Sequence, residues 1–196
     1  MLKIHQCYGC KGEFPIQEEL AYHQFAGIGR YGVAIPECLA TLYDIIAKEN
    51  ELFGYPPAHR LIIDAYAAQH PRHPEVQQAF AIEQRLIKAS VQSITVHLIG
   101  LYCAIELKIE LPKIAQVMGA MLAQMKQQSF EFYDLQAPAD LGSVKVMDVK
   151  SRLFAHACSS DEYLQLAMHW AKTVWDAWKE QHATIGKLYT IYGGRQ

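Results

Sequence analysis

Cys7 and Cys10 are separated by only Tyr8 and Gly9. Two thiolates at this spacing can grip one metal, because a tight turn brings both sulfurs to one edge of a tetrahedron. Gly9 inside the pair and Gly12 behind it suit a turn that would strain other residues. A redox pair would need the cysteines at a helix N-terminus after a strand, where the dipole lowers the thiol pKa. Gly12 and Pro15 interrupt the following segment, so structural zinc is preferred over redox chemistry or two ordinary thiols.

The other ligands must come from elsewhere in the chain. Pro36 suits the first position of a helix that runs to about Leu52 and ends at Gly54. Pro56 and Pro57 open the next helix, and Pro71 closes it after His70. A short loop makes these helices antiparallel. At ~1.5 Å per residue, Cys38 and His70 then lie at similar depth, far from the loop, and His59 lies at the other end. The expected site is Cys7, Cys10, Cys38 and His70. Without a metal, Cys38 would be a small buried hydrophobe and His70 a helix C-cap.

Other histidines fall on apolar faces. His97 shares a face with Ser93, Ile94, Leu101 and Ala104, with Thr95 and Glu106 pointing away. His182 lies one turn beyond Trp178 and one before Ile185. His59, Tyr66 and His70 share a face, with Asp64 on a different one. His59, Asp64, His97 and His182 are the candidate catalytic set if they meet in one cavity, as metal ligands or as acid and base. Otherwise each histidine is satisfied by a serine or a backbone carbonyl, and Asp64 pairs with Arg60 four residues earlier.

The elements that would position these groups are mainly helical. A short helix is expected from Pro15 to Phe25, then a loop at Gly27, Gly29 and Gly32. Helices follow from Pro74 to Leu107, with a break near Lys88, and from Pro112 to Gln128. Residues 130–149 read as an irregular excursion with a short strand pair, on the evidence of Pro138, Gly142, Val144, Val146 and Val149. Ser159 and Glu162 form a capping box for the last helix. Its stripe runs through Leu164, Ala167, Ala171, Val174, Trp178, Ile185 and Tyr189. Trp170, Trp175 and Trp178 read as core, and Lys172, Asp176 and Lys179 as a solvated face. Met118, Met121 and Met125 suggest packing or a homo-oligomer surface. The expected fold is mainly α: an antiparallel helical bundle in one domain over 1–196, with a metal hairpin at 1–14.

The chain has 196 residues, 51% hydrophobic and 19% charged, which is globular composition. Net charge is −2, with no Lys/Arg block, so neither nucleic acid nor an anionic membrane is an expected partner. Ser93 to Leu107 is too short to span a bilayer, and the N-terminus lacks a signal-peptide core. Five scattered cysteines argue against a disulfide framework. A cytoplasmic protein is expected.

Several runs together resemble an uncharacterised family of bacterial and fungal domains of unknown function. They are Cys7-x-x-Cys10, Pro36-Glu37-Cys38, the run from His59 to Pro71, Gln92 to Leu98, Val146 to Val149 and Trp170 to Trp178. Three positions depart from the family pattern. Tyr8 replaces a usual proline, Leu39 a frequent tryptophan, and Gln181-His182 a His-His pair. The last departure weakens a catalytic role for His182. The resemblance implies that the cysteine hairpin, the Pro-Glu-Cys turn and the Gln-His-Pro end belong to one design.

Two functions follow. One is a zinc-stabilised helical module that binds a protein partner or small ligand. The other is a metal-dependent hydrolase or transferase working in a histidine-lined interior pocket. A structural site is closed by four protein ligands, whereas a catalytic metal keeps a position open for water.

Overall fold

The computed structural model describes residues 3–7, 9–16, 35–54, 57–71, 84–128 and 135–193, with the side chains of 3, 16 and 84–90 excepted. Strands β1 (Lys3–Gln6) and β2 (Glu13–Ile16) form an antiparallel hairpin, with His5 opposite Phe14 and Gln6 opposite Glu13. Pro15 is therefore in a strand and does not start a helix. It pairs with Ile4 in a sheet that has two strands among the described residues, an edge setting that tolerates the missing N–H. The rest of the expected helix to Phe25, and the loop at Gly27, Gly29 and Gly32, lie outside the described residues.

Seven α-helices follow among the described residues: α1 (Pro36–Phe53), α2 (His59–Ala68), α3 (Gln84–Ile105), α4 (Leu111–Gln127), α5 (Val146–Phe154), α6 (Ser160–Ala177) and α7 (His182–Tyr192). No helix among them is long and apolar enough to cross a membrane. Pro36 begins α1, and Gly54 ends it in the left-handed region at φ 64°, its N–H bonded to the Asn50 carbonyl. Pro112 lies in the first turn of α4. Helix α3 runs through Lys88 unbroken. On α3 it is Thr95 that is buried and Ser93 that is exposed, because the Thr95 hydroxyl donates to the Val91 carbonyl at 2.8 Å and loses no hydrogen bond inside.

Two expectations about extended or continuous chain need correcting. Val146 and Val149 are helical. Asp148 caps α5 by accepting the Lys145 N–H at 2.8 Å, and Val146, Val149 and Leu153 bury one face at helical spacing. The stretch before it, from 135 to 145, is irregular. The capping box at Ser159 and Glu162 does start α6, but the helix stops at Ala177. A 3-10 turn (Lys179–Gln181) then redirects the chain into α7. The stripe stays apolar through this break, with Val174, Trp178 and Ile185 all buried, so periodicity alone hides it.

Helix α2 lies in the middle of the bundle and packs on α3 and α6. Leu61, Ile62, Ala65, Tyr66 and Ala68 are all buried. Two tryptophans, one in α6 and one just past it, lock onto its end: Trp178 Nε1 donates to the Ala68 carbonyl at 3.1 Å, and Trp170 Nε1 to Gln69 Oε1 at 3.0 Å. The Gln69 amide in turn donates to the Leu141 and Val144 carbonyls, at 3.0 and 2.7 Å, and pins the irregular segment down.

Candidate metal centre

The hairpin turn is built by the backbone. The Cys7 N–H bonds to the Gly12 carbonyl at 2.8 Å, and the Lys11 N–H to the Cys7 carbonyl at 2.9 Å. Among the described residues of this turn it is Lys11 that is left-handed, at φ 58°, and neither Gly9 nor Gly12 has positive φ. Gly9 serves a different purpose: a Cβ there would stand 2.9 Å from His70 Cα and overlap the imidazole. Its missing side chain lets the cysteine turn close onto the end of α2.

His70 is aimed by that end. The last turn of α2 tightens, with the His70 N–H bonding to the Ala67 carbonyl at 3.0 Å, and Pro71 cannot continue the helix. The ring then lies over Tyr66, with centroids 4.0 Å apart. Its Nδ1 donates to the Tyr66 carbonyl at 2.6 Å, which turns Nε2 toward the cysteines.

Four donors meet in this corner. Cys7, Cys10 and Cys38 are 0% exposed and His70 3%. One donor atom from each lies within 4.8 Å of all the others, and no other such group of three or more metal-binding side chains occurs among the described residues. Cys10 Sγ is 3.8 Å from Cys38 Sγ, and Cys38 Sγ is 3.2 Å from His70 Nε2. A tetrahedral zinc with Zn–S bonds of about 2.3 Å has sulfur–sulfur edges of about 3.8 Å. Hydrogen bonds reach the sulfurs from outside: the Gly12 N–H to Cys10 at 3.4 Å and the Tyr66 hydroxyl to Cys38 at 3.5 Å.

The charges in this corner are strongly coupled. Hydrogen bonds with Cys10 and Cys38 hold the Cys7 thiol well below its ordinary value. Burial first, then Cys10 and Cys7, push Cys38 far up. Burial disfavours a charged His70, yet the Cys10 and Cys7 thiolates outweigh it and hold the ring up at about 10. Several thiolates cannot be ionised together inside a core without a cation, so the donor set fits a metal ion.

Of the other predicted residues, one pair is in contact. Asp64 and His97 touch, with Nδ1 2.7 Å from Oδ1, and Arg60 Nε donates to Asp64 Oδ2 at 2.9 Å. His182 stacks on Trp175, centroids 3.8 Å apart and planes 5° off parallel, and its Nε2 donates to the Trp175 carbonyl at 2.9 Å. His59 is half exposed at the start of α2, 3.6 Å from Glu49 Oε2, beyond hydrogen-bond range. Glu49 itself was not foreseen. It is fully buried, accepts the Ala58 N–H at 2.7 Å, and burial raises its carboxyl to about 7 against that bond. A glutamate on a helix that is otherwise amphipathic reads as surface, and only its contact with the next helix reveals the burial.

The chain belongs to a family of unknown function (DUF5946), which it matches over residues 5–179. No curated protein and no solved structure matches it.

Proposed function

We propose that this chain is a zinc-stabilised helical binding module of the cytoplasm, in which Cys7, Cys10, Cys38 and His70 hold a structural zinc ion. The observation that carries this reading is the closed donor set: four buried protein donors within 4.8 Å of one another. Such a set leaves no position for water or substrate, which suits a structural ion and not a catalytic one. The ion would tie the N-terminal hairpin to the first turn of α1 and the last turn of α2. A metal-dependent enzyme built on His59, Asp64, His97 and His182 finds less support, since only Asp64 and His97 are in contact.

The module's ligand would be small or a protein segment. An open cleft of about 530 Å³, between the segment at 136–142 and the end of α6, offers room for one. The test is metal content after purification without chelator. One zinc per chain is expected in the wild type and in His97→Ala, and less than a tenth of that in Cys38→Ser. A metal-free wild type would end the reading, as would a Cys38→Ser variant that keeps its zinc.

A further inference from the structure

Asp64 is 1% exposed, enclosed between α2 and α3. Burying a carboxylate costs several kcal/mol unless it is paired and hydrogen-bonded. Helix α3 is shaped to admit it: a Cβ at Gly100 would collide with Asp64 Oδ2. His97 lies one turn before Gly100 and so faces the same carboxylate. Both carboxylate oxygens are used, Oδ1 by His97 and Oδ2 by Arg60, at 2.7 and 2.9 Å.

This arrangement does more than join two helices. His97 Nδ1–H donates to the carboxylate, which in the neutral ring leaves the lone pair on Nε2. That nitrogen makes no hydrogen bond with the described residues, and the ring keeps 15% of its surface exposed. Arg60 Nη2 is buried and has no acceptor either. A packing role would be served as well or better by apolar residues of the same volume. Cys103, one turn beyond Gly100, offers no rival: burial first, then the Asp64 charge, push its thiol up to about 12.

We propose that His97 is a catalytic base, with Nε2 as its working atom and Asp64 as its positioning residue. Its substrate class is a neutral X–H donor, a hydroxyl group or a water. In the step, the X–H bond breaks, its proton forms a bond to Nε2, and the electron pair stays on X. The imidazolium so formed is stabilised by the Asp64 carboxylate. This goes beyond the structural-metal reading and does not depend on it, since neither group is a metal ligand there.

The test uses the full chain with its metal in place and diethyl pyrocarbonate as the probe. The Nε2 lone pair attacks a carbonyl carbon of the reagent, an N–C bond forms, and ethyl carbonate leaves. Rates at His97 and at the exposed His169 are followed by peptide mass mapping over a pH series, which gives the limiting rate of each neutral ring. The expected limiting rate at His97 is about fivefold above that at His169, despite its lower exposure, and Asp64→Asn lowers it to the His169 level or below. If that variant fails to fold, nitrogen-15 spectra of the wild-type imidazoles decide alongside the wild-type rates. They are expected to show neutral His97 protonated at Nδ1. A His97 that reacts more slowly than His169, or one protonated at Nε2 when neutral, would overturn the proposal.

Discussion

Helix α2 carries two polar clusters that use the same device and end differently. In both, a histidine Nδ1 is tethered, His70 to the Tyr66 carbonyl at 2.6 Å and His97 to Asp64 at 2.7 Å. In both, Nε2 is the nitrogen turned away from the tether. At His70 it faces three buried thiols. At His97 it meets no described partner, beside a ring edge that keeps some exposure. On the two proposed readings, the surroundings of Nε2 decide whether the nitrogen serves as a ligand or a base. His59 marks the contrast: its Nδ1 lies 3.6 Å from Glu49 and has no tether.

The largest effect is expected at the cysteines. Cys7→Ser is expected to lose the metal and several kcal/mol of stability, enough to unfold the chain at ambient temperature, as measured by chemical denaturation alongside metal analysis. His97→Ala should keep the metal and a cooperative transition. If both variants lost the metal, the two clusters would be one site.

Two glycines sharpen it at intermediate cost. Gly100→Ala drives a methyl into Asp64 and is expected to cost about 1–3 kcal/mol in denaturant unfolding, without loss of metal. Gly9→Ala drives one into His70 and is expected to weaken metal retention in a chelator competition. Exchange of these two outcomes would contradict the assignment of each glycine to its cluster.

Glu49 supplies a pH dependence away from both clusters. Its carboxyl stands at about 7 when folded, above the ordinary value of 4.5, with His59 and Tyr163 as its titratable neighbours. A raised acid binds more protons folded than unfolded. Its contribution is therefore full below about pH 4.5 and is lost as pH climbs through about 7. Glu49→Gln is expected to flatten that slope in denaturation midpoints taken across this window, with the metal content unchanged. A slope that persists in the variant would assign it to another group.

The smallest effect is expected at Tyr66→Phe. It removes the hydroxyl that donates to Cys38 at 3.5 Å and should cost about 0.5–1.5 kcal/mol, with the metal retained.

Much of this was legible in the sequence because proline, glycine and capping residues act locally. Pro36, Gly54, Pro112 and the Ser159–Glu162 box mark helix ends where the structure has them. The grouping of Cys38 with His70 followed from one short loop and the helical rise. The failures are non-local. Pro15 joined a strand because Ile4 was there to pair with it. Val146 and Val149 turned helical on an Asp148 cap, against their β-branched preference. The step from α6 to α7 is invisible in a stripe that stays apolar across it. Arg60 and Asp64 share a helix and were paired by spacing. The meeting of Asp64 with His97 depends on how α2 and α3 pack, which no local pattern encodes.

X-ray absorption at the zinc edge of the full chain reads the ligands of the proposed closed metal site themselves. One zinc is expected, bound by three sulfurs at about 2.3 Å and one nitrogen at about 2.0–2.1 Å, with no oxygen ligand. A first shell containing water or carboxylate oxygen, or fewer than three sulfurs, would contradict it.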